Sequence, residues 1–145
     1  MNPLLRLPRW QKRAAYFCLA VLTLSGLAWL LLHYGRADDE LPLPAEGWLM
    51  RLHGLASMLA LLVLGALAGQ HVPAGWRLAR RHRRARQRAT GLLLSALLGA
   101  AVLSAYALYY LVPETWHAGL GGLHAGLGVF ALLGWWLHRP RRQRI

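Results

Sequence analysis

The sequence is poor in cysteine and in acid. A single cysteine, Cys18, stands among 145 residues, so no intrachain disulfide forms, and the covalent haem-attachment motif C-x-x-C-H is absent. Only five residues are acidic, Asp38, Asp39, Glu40, Glu46 and Glu114, and none lies within a long apolar run. The runs therefore hold no carboxylate pair for general acid–base work. No phosphate-binding glycine loop and no nucleophile–base pair is present either, which argues against a hydrolase or transferase. No stretch alternates with the two-residue period of a membrane barrel strand.

Long apolar blocks are abundant. Four reach the roughly 20 residues that a bilayer crossing requires: about 14–34, 48–72, 89–112 and 116–138. The expected class is an all-α polytopic membrane protein, a four-helix transmembrane up-and-down bundle forming a single domain over 1–145, with an Arg-rich loop at 73–88. The first block is too long for a signal-peptide core and no A-x-A site follows it, so it reads as a retained helix.

The net charge of +12 invites a nucleic-acid reading, which the distribution of charge opposes. Fifteen of the 17 basic residues precede the first block, separate the second from the third, or follow the fourth. All five acids fall in the other two connections. This is the positive-inside pattern. It places both termini and the Arg77–Arg88 run in the cytoplasm of a bacterial inner membrane, with the basic run touching anionic lipid headgroups and no nucleic acid as partner.

Along the chain, Trp10 suits an interfacial anchor, and His33 at the outer end of the first block is expected to meet headgroups and water. Pro73, Ala74 and Gly75 are expected to end the second helix, and the Arg-rich connector after them has the alternatives of loop or of helix along the membrane surface. His82, among arginines, reads as solvated. The third block has no histidine but carries Gly91, Ser95 and Gly99 at a spacing of four, a stripe suited to close helix packing. Tyr106, Tyr109 and Tyr110 form an aromatic belt, and Pro113 marks the end of that helix. No internal repeat is evident.

The remaining signal is histidine inside the spans, where ionisable residues are rare and usually functional. His124 and His138 stand about four helical turns apart, and His53 and His71 about five. Both intervals return a helix close to one face, at about 21 Å and 27 Å along the axis. The second and fourth helices run in the same direction. On a diagonal of the bundle they would pair His71 with His138 near the inner surface, and His53 with His124 or His117 near the outer one. Two imidazoles at each depth suit the two axial positions of a haem iron better than tetrahedral zinc. His124 is preferred to His117 because His117 sits at the aqueous rim. Gly119, Gly121, Gly122, Gly126 and Gly128 around it, with Gly54 and Gly69 on the second helix, would let a flat macrocycle approach. Arg51, and Arg77 or Arg88, are placed to meet propionates.

The segments RLHGLASMLALLVLGALAGQHV and GLHAGLGVFALLGWWLH resemble those of small bacterial four-helix membrane proteins of the cytochrome-b-like class, over helices 2 to 4. The His124–His138 interval is similar to that of the cytochromes b of quinol-oxidising complexes. The His53–His71 interval departs from it, so the resemblance extends further for the inner site than for the outer. It implies two non-covalent b-type haems, electron transfer across the membrane, quinol as donor, and a larger redox complex or a periplasmic electron carrier as partner. The rival expectation is a cofactor-free accessory subunit docked against a larger membrane complex through its small-residue stripes.

Overall fold

In a computed structural model, the described residues are 8–37, 41–81 and 85–138. His82, the acidic run Asp38–Glu40 and the basic residues beyond His138 lie outside them. The described residues form four α-helices and no strand: α1 (Arg9–Tyr34), α2 (Pro44–Arg81), α3 (Ala85–Tyr110) and α4 (Glu114–His138). Each is long and apolar enough to cross a membrane, as a multi-pass membrane protein requires.

The chain divides into two compact units, Met1–Gly75 and Trp76–Ile145. In the first, α1 and most of α2 form an antiparallel hairpin. α1 begins directly after Pro8, whose carbonyl accepts from the Lys12 N–H at 3.1 Å. It ends at Gly35, where an added Cβ would lie 2.5 Å from the Leu31 carbonyl oxygen, so only glycine fits. α2 opens on Pro44, whose missing N–H costs nothing at a first helical position. Glu46 in that first turn reaches back to the Leu43 N–H at 3.0 Å, one half of a capping box. The same carboxylate accepts from Arg36 Nη1 at 2.8 Å and contacts His33 Nδ1 at 3.1 Å, tying the two helices together at their connection.

α2 does not stop at Pro73. It continues to Arg81, 38 residues in all. A proline removes one helical hydrogen bond but does not force an end, because neighbouring groups in a membrane helix re-satisfy the freed carbonyl. Arg80 and Arg81 in the last turn also complement the negative end of the helix dipole. The run 73–81 is thus helix rather than loop.

In the second unit α3 and α4 pair as a tight antiparallel hairpin. α3 ends at Tyr110, before Pro113; Trp116 N–H then donates to the Pro113 carbonyl at 2.9 Å as α4 begins. The contact runs through Leu94, Leu97, Ala131 and Gly134: a Cβ on Gly134 would touch Leu94 and Leu97 at 3.5 and 3.6 Å. The Gly91–Ser95–Gly99 stripe does not serve as a continuous packing seam. Gly91 faces a histidine, Ser95 is exposed, and a Cβ on Gly99 would meet nothing within 4 Å. The bulky Leu94 and Leu97 fill the interface instead.

Burial is inverted relative to a water-soluble fold. Among the described residues the buried apolar ones are mostly small, Ala15, Cys18, Ala56, Ala79 and Ala131, with Leu94. Leu31, Leu62, Leu103, Phe130 and Trp136 are exposed. Small residues let helix backbones approach, and large apolar ones face lipid.

Candidate histidine sites

The four span histidines named from spacing are all half-buried, whereas His117 is exposed. Three of the four are held in the same way. In the first hairpin, His53 Nδ1 lies 3.0 Å from Ser25 Oγ of α1. In the second, His124 Nδ1 lies 2.9 Å from Ser104 Oγ, and His138 Nδ1 lies 3.1 Å from Thr90 Oγ1, both on α3. Thr90 and Ser104 are separated by the same interval as His124 and His138, so both contacts fall in one antiparallel register.

Each hydroxyl also lies close to a carbonyl of its own preceding turn: Ser25 to Val21 at 2.6 Å, Ser104 to Ala101 at 2.9 Å, and Thr90 to Arg86 at 3.0 Å. A hydroxyl that gives its proton to that carbonyl accepts from the imidazole, and the ring is then the Nδ1–H tautomer. A metal-bound histidine is normally set by such a partner on its other nitrogen. Bonding of a serine or threonine hydroxyl to its own preceding turn also fixes the rotamer that presents the oxygen.

Glycine completes two of these contacts. A Cβ on Gly26, next to Ser25, would lie 3.3 Å from His53 Cε1, and one on Gly91, next to Thr90, would lie 3.1 Å from His138 Cε1. The imidazoles lie against the neighbouring helix only because those side chains are missing. The other glycines behave differently. A Cβ on Gly54, Gly69, Gly119, Gly121, Gly122, Gly126 or Gly128 would meet nothing within 4 Å. These positions are not used for packing inside either hairpin.

His71 is the exception. No side chain among the described residues hydrogen-bonds its ring. Its neighbour Gln70 is instead 3.4 Å from Gln11 Nε2. His33 Nδ1 is bound to Glu46, and its ring stacks on Trp29 at 4.4 Å. His117 Nε2 lies 3.1 Å from the Val112 carbonyl, at the end of α3. Arg51 covers the Trp48 ring and Arg88 covers the Trp76 ring, each at 4.8 Å. Arg77 is exposed. No three His, Cys, Asp or Glu side chains among the described residues gather as a multi-ligand metal site.

Ser25, Thr90 and Ser104 are the functional candidates that sequence reasoning missed. Two signals point to them. The Thr90–Ser104 interval repeats the His124–His138 interval. The tripeptides Leu24-Ser25-Gly26 and Leu52-His53-Gly54 also reappear, with alanine for glycine, as Leu103-Ser104-Ala105 and Leu123-His124-Ala125. No protein-family model, no curated protein and no solved structure matches the chain.

Proposed function

We propose that this chain binds b-type haem through His53, His71, His124 and His138 and transfers electrons across the bacterial inner membrane, with a quinol or another membrane-level donor on one side and a carrier on the other. The observation that carries the reading is the shared setting of His53, His124 and His138: the Nδ1 of each lies within hydrogen-bond distance of a hydroxyl from the adjacent helix, the kind of partner that orients a metal-binding imidazole.

The residues fit the group. Haem held by these histidines would supply one-electron chemistry, and imidazole ligation would suit electron transfer rather than oxygen binding. The chain's own share is positional. The hydroxyls orient the rings. The glycines of α2 and α4 that meet no atom leave room beside them. The apolar helices exclude water. Arg51 and Arg88, each spread on a tryptophan face, offer guanidinium groups for carboxylates near the two surfaces. The same open glycine faces would serve a cofactor-free subunit docking against a larger complex; the recurrence of a hydroxyl on Nδ1 at three of the four histidines supports haem, since such a partner orients a metal-binding ring.

The test is reconstitution of the haem-loaded chain in sealed liposomes with an impermeant oxidant trapped inside. Quinol or an impermeant reductant added outside should reduce that oxidant at a rate that depends on haem. Trapped oxidant left untouched while the haems reduce readily would replace transmembrane transfer with a one-sided redox role.

A further inference from the structure

The arginines between the second and third apolar runs read from sequence as one basic surface, but within the second unit one of them stands apart. Because α2 stays helical past Pro73, Trp76, Arg77, Arg80 and Arg81 are carried on its last turns, and α3 begins four residues later at Ala85. Arg88, in the first turn of α3, covers the Trp76 ring at 4.8 Å and so joins the end of α2 to the start of α3. The ring is not enclosed by this contact: Trp76 remains 40% exposed. Arg86 is occupied elsewhere, since its Nη2 donates to the Leu137 carbonyl at 3.3 Å. Arg88 is half-buried, and its Nε is covered yet has no hydrogen-bond partner among the described residues. The second unit has no carboxylate to offer it. The only acid in 76–145 is Glu114, at the far end of the α3–α4 hairpin. Arg77, Arg80, Arg81 and Arg86 add four exposed cations and no anion. A partly buried guanidinium without a counter-charge is costly, so the anion must come from outside the chain.

We propose that Arg88, seated on Trp76, is a defined binding site for the phosphate of an anionic phospholipid headgroup. Arg88 directly precedes the apolar run 89–112, which sets it at the level where headgroups lie. A guanidinium presents paired N–H donors that match phosphate oxygens, and the indole face fixes its plane and shields one side of it from water. The exposed arginines around it select the headgroup. A zwitterionic lipid would bring its own cation against them, whereas an anionic lipid brings none. Each arginine near an anionic membrane surface is worth about five-fold in affinity, and one that is stacked and partly desolvated should not fall below that. The site does not depend on haem, although the same guanidinium could meet a propionate; the test separates the two acceptors.

The experiment titrates the purified full-length chain in detergent with dioctanoyl phosphatidylglycerol and, separately, dioctanoyl phosphatidylcholine, followed by calorimetry. The wild type should bind phosphatidylglycerol saturably and at least about five-fold more tightly than phosphatidylcholine. Arg88→Gln should weaken phosphatidylglycerol binding by about five-fold or more. Trp76→Leu should also weaken it, and should add little once Arg88 is already glutamine. Arg13→Gln removes the same charge from an exposed position on α1 and should leave binding unchanged. An equal loss in Arg13→Gln would reduce the site to diffuse surface charge and overturn the proposal. So would equal affinity for the two lipids, or displacement of phosphatidylglycerol by inorganic phosphate at the same concentration. Loss of phosphatidylglycerol binding on addition of haemin would assign Arg88 to a propionate and overturn it as well. A chain that takes up no haemin yet still prefers phosphatidylglycerol would remove the haem reading and leave the lipid site standing.

Discussion

Gly91→Ala is the sharpest perturbation that the second hairpin offers. The added Cβ would sit 3.1 Å from His138 Cε1, 3.7 Å from Nδ1 and 4.0 Å from Nε2. The ring must therefore shift by a few tenths of an ångström, and its contact with Thr90 Oγ1, now 3.1 Å, has little slack. For the fold the effects nearly cancel. Alanine in place of a helical glycine gains up to about 1 kcal/mol, while a polar contact between membrane helices is worth about 0.6 kcal/mol and at most about 1.7. For cofactor binding nothing offsets the loss, because a displaced ring has lost its orienting partner, at a cost of about 10- to 100-fold in affinity. Gly99→Ala is the control: it gains the same propensity, and its Cβ meets nothing within 4 Å. The assay pairs thermal unfolding in detergent with haem titration of the component that His138→Ala removes. Gly91→Ala should unfold within a few degrees of wild type but lose that component, and Gly99→Ala should keep both. Equal haem affinity in Gly91→Ala and wild type would refute the argument that Gly91 exists to seat the imidazole.

Other outcomes follow from the same contacts. His71→Ala and His138→Ala should abolish the same spectral component, and His117→Ala should leave both components in place; loss of the outer component in His117→Ala with none in His124→Ala would exchange those two roles. Glu46→Ala removes the acceptor shared by Arg36, His33 and the Leu43 N–H, so limited proteolysis should cut the connection between α1 and α2 faster; an unchanged rate would show that the cluster does not tie the hairpin. A periplasm-active reporter fused after Ile145 should be silent and one inserted near Asp39 active, because the basic residues flank the proposed inner ends; the reverse would invert the labels inner and outer.

The four helices were legible because hydropathy summed over a whole bilayer crossing is a strong, local signal. His53, His71, His124 and His138, chosen for their helical spacing within the spans, lie half-buried on α2 and α4. What the sequence did not disclose depends on which side chain meets which across a hairpin. Pro73 reads as a stop, yet α2 runs through it, since a single lost hydrogen bond is a modest cost in a long apolar helix. Gly91 belongs to a small-residue stripe that reads as a packing seam, but its missing side chain makes room for a ring from the next helix. Ser25, Thr90 and Ser104 look like ordinary serine and threonine in an apolar helix, each back-bonded to its own turn. Their second contact is visible only once the antiparallel register is known.

The central claim is that hydroxyl-held histidines bind haem. The most direct measurement is a pyridine haemochrome assay on the purified full-length chain, expressed with ample haem, alongside the variant that lacks all four of His53, His71, His124 and His138. The wild-type chain should give a ratio approaching two haems, with colour that acid–acetone extracts, and the variant none. A wild-type chain without a Soret band, or a variant that retains one, would contradict it.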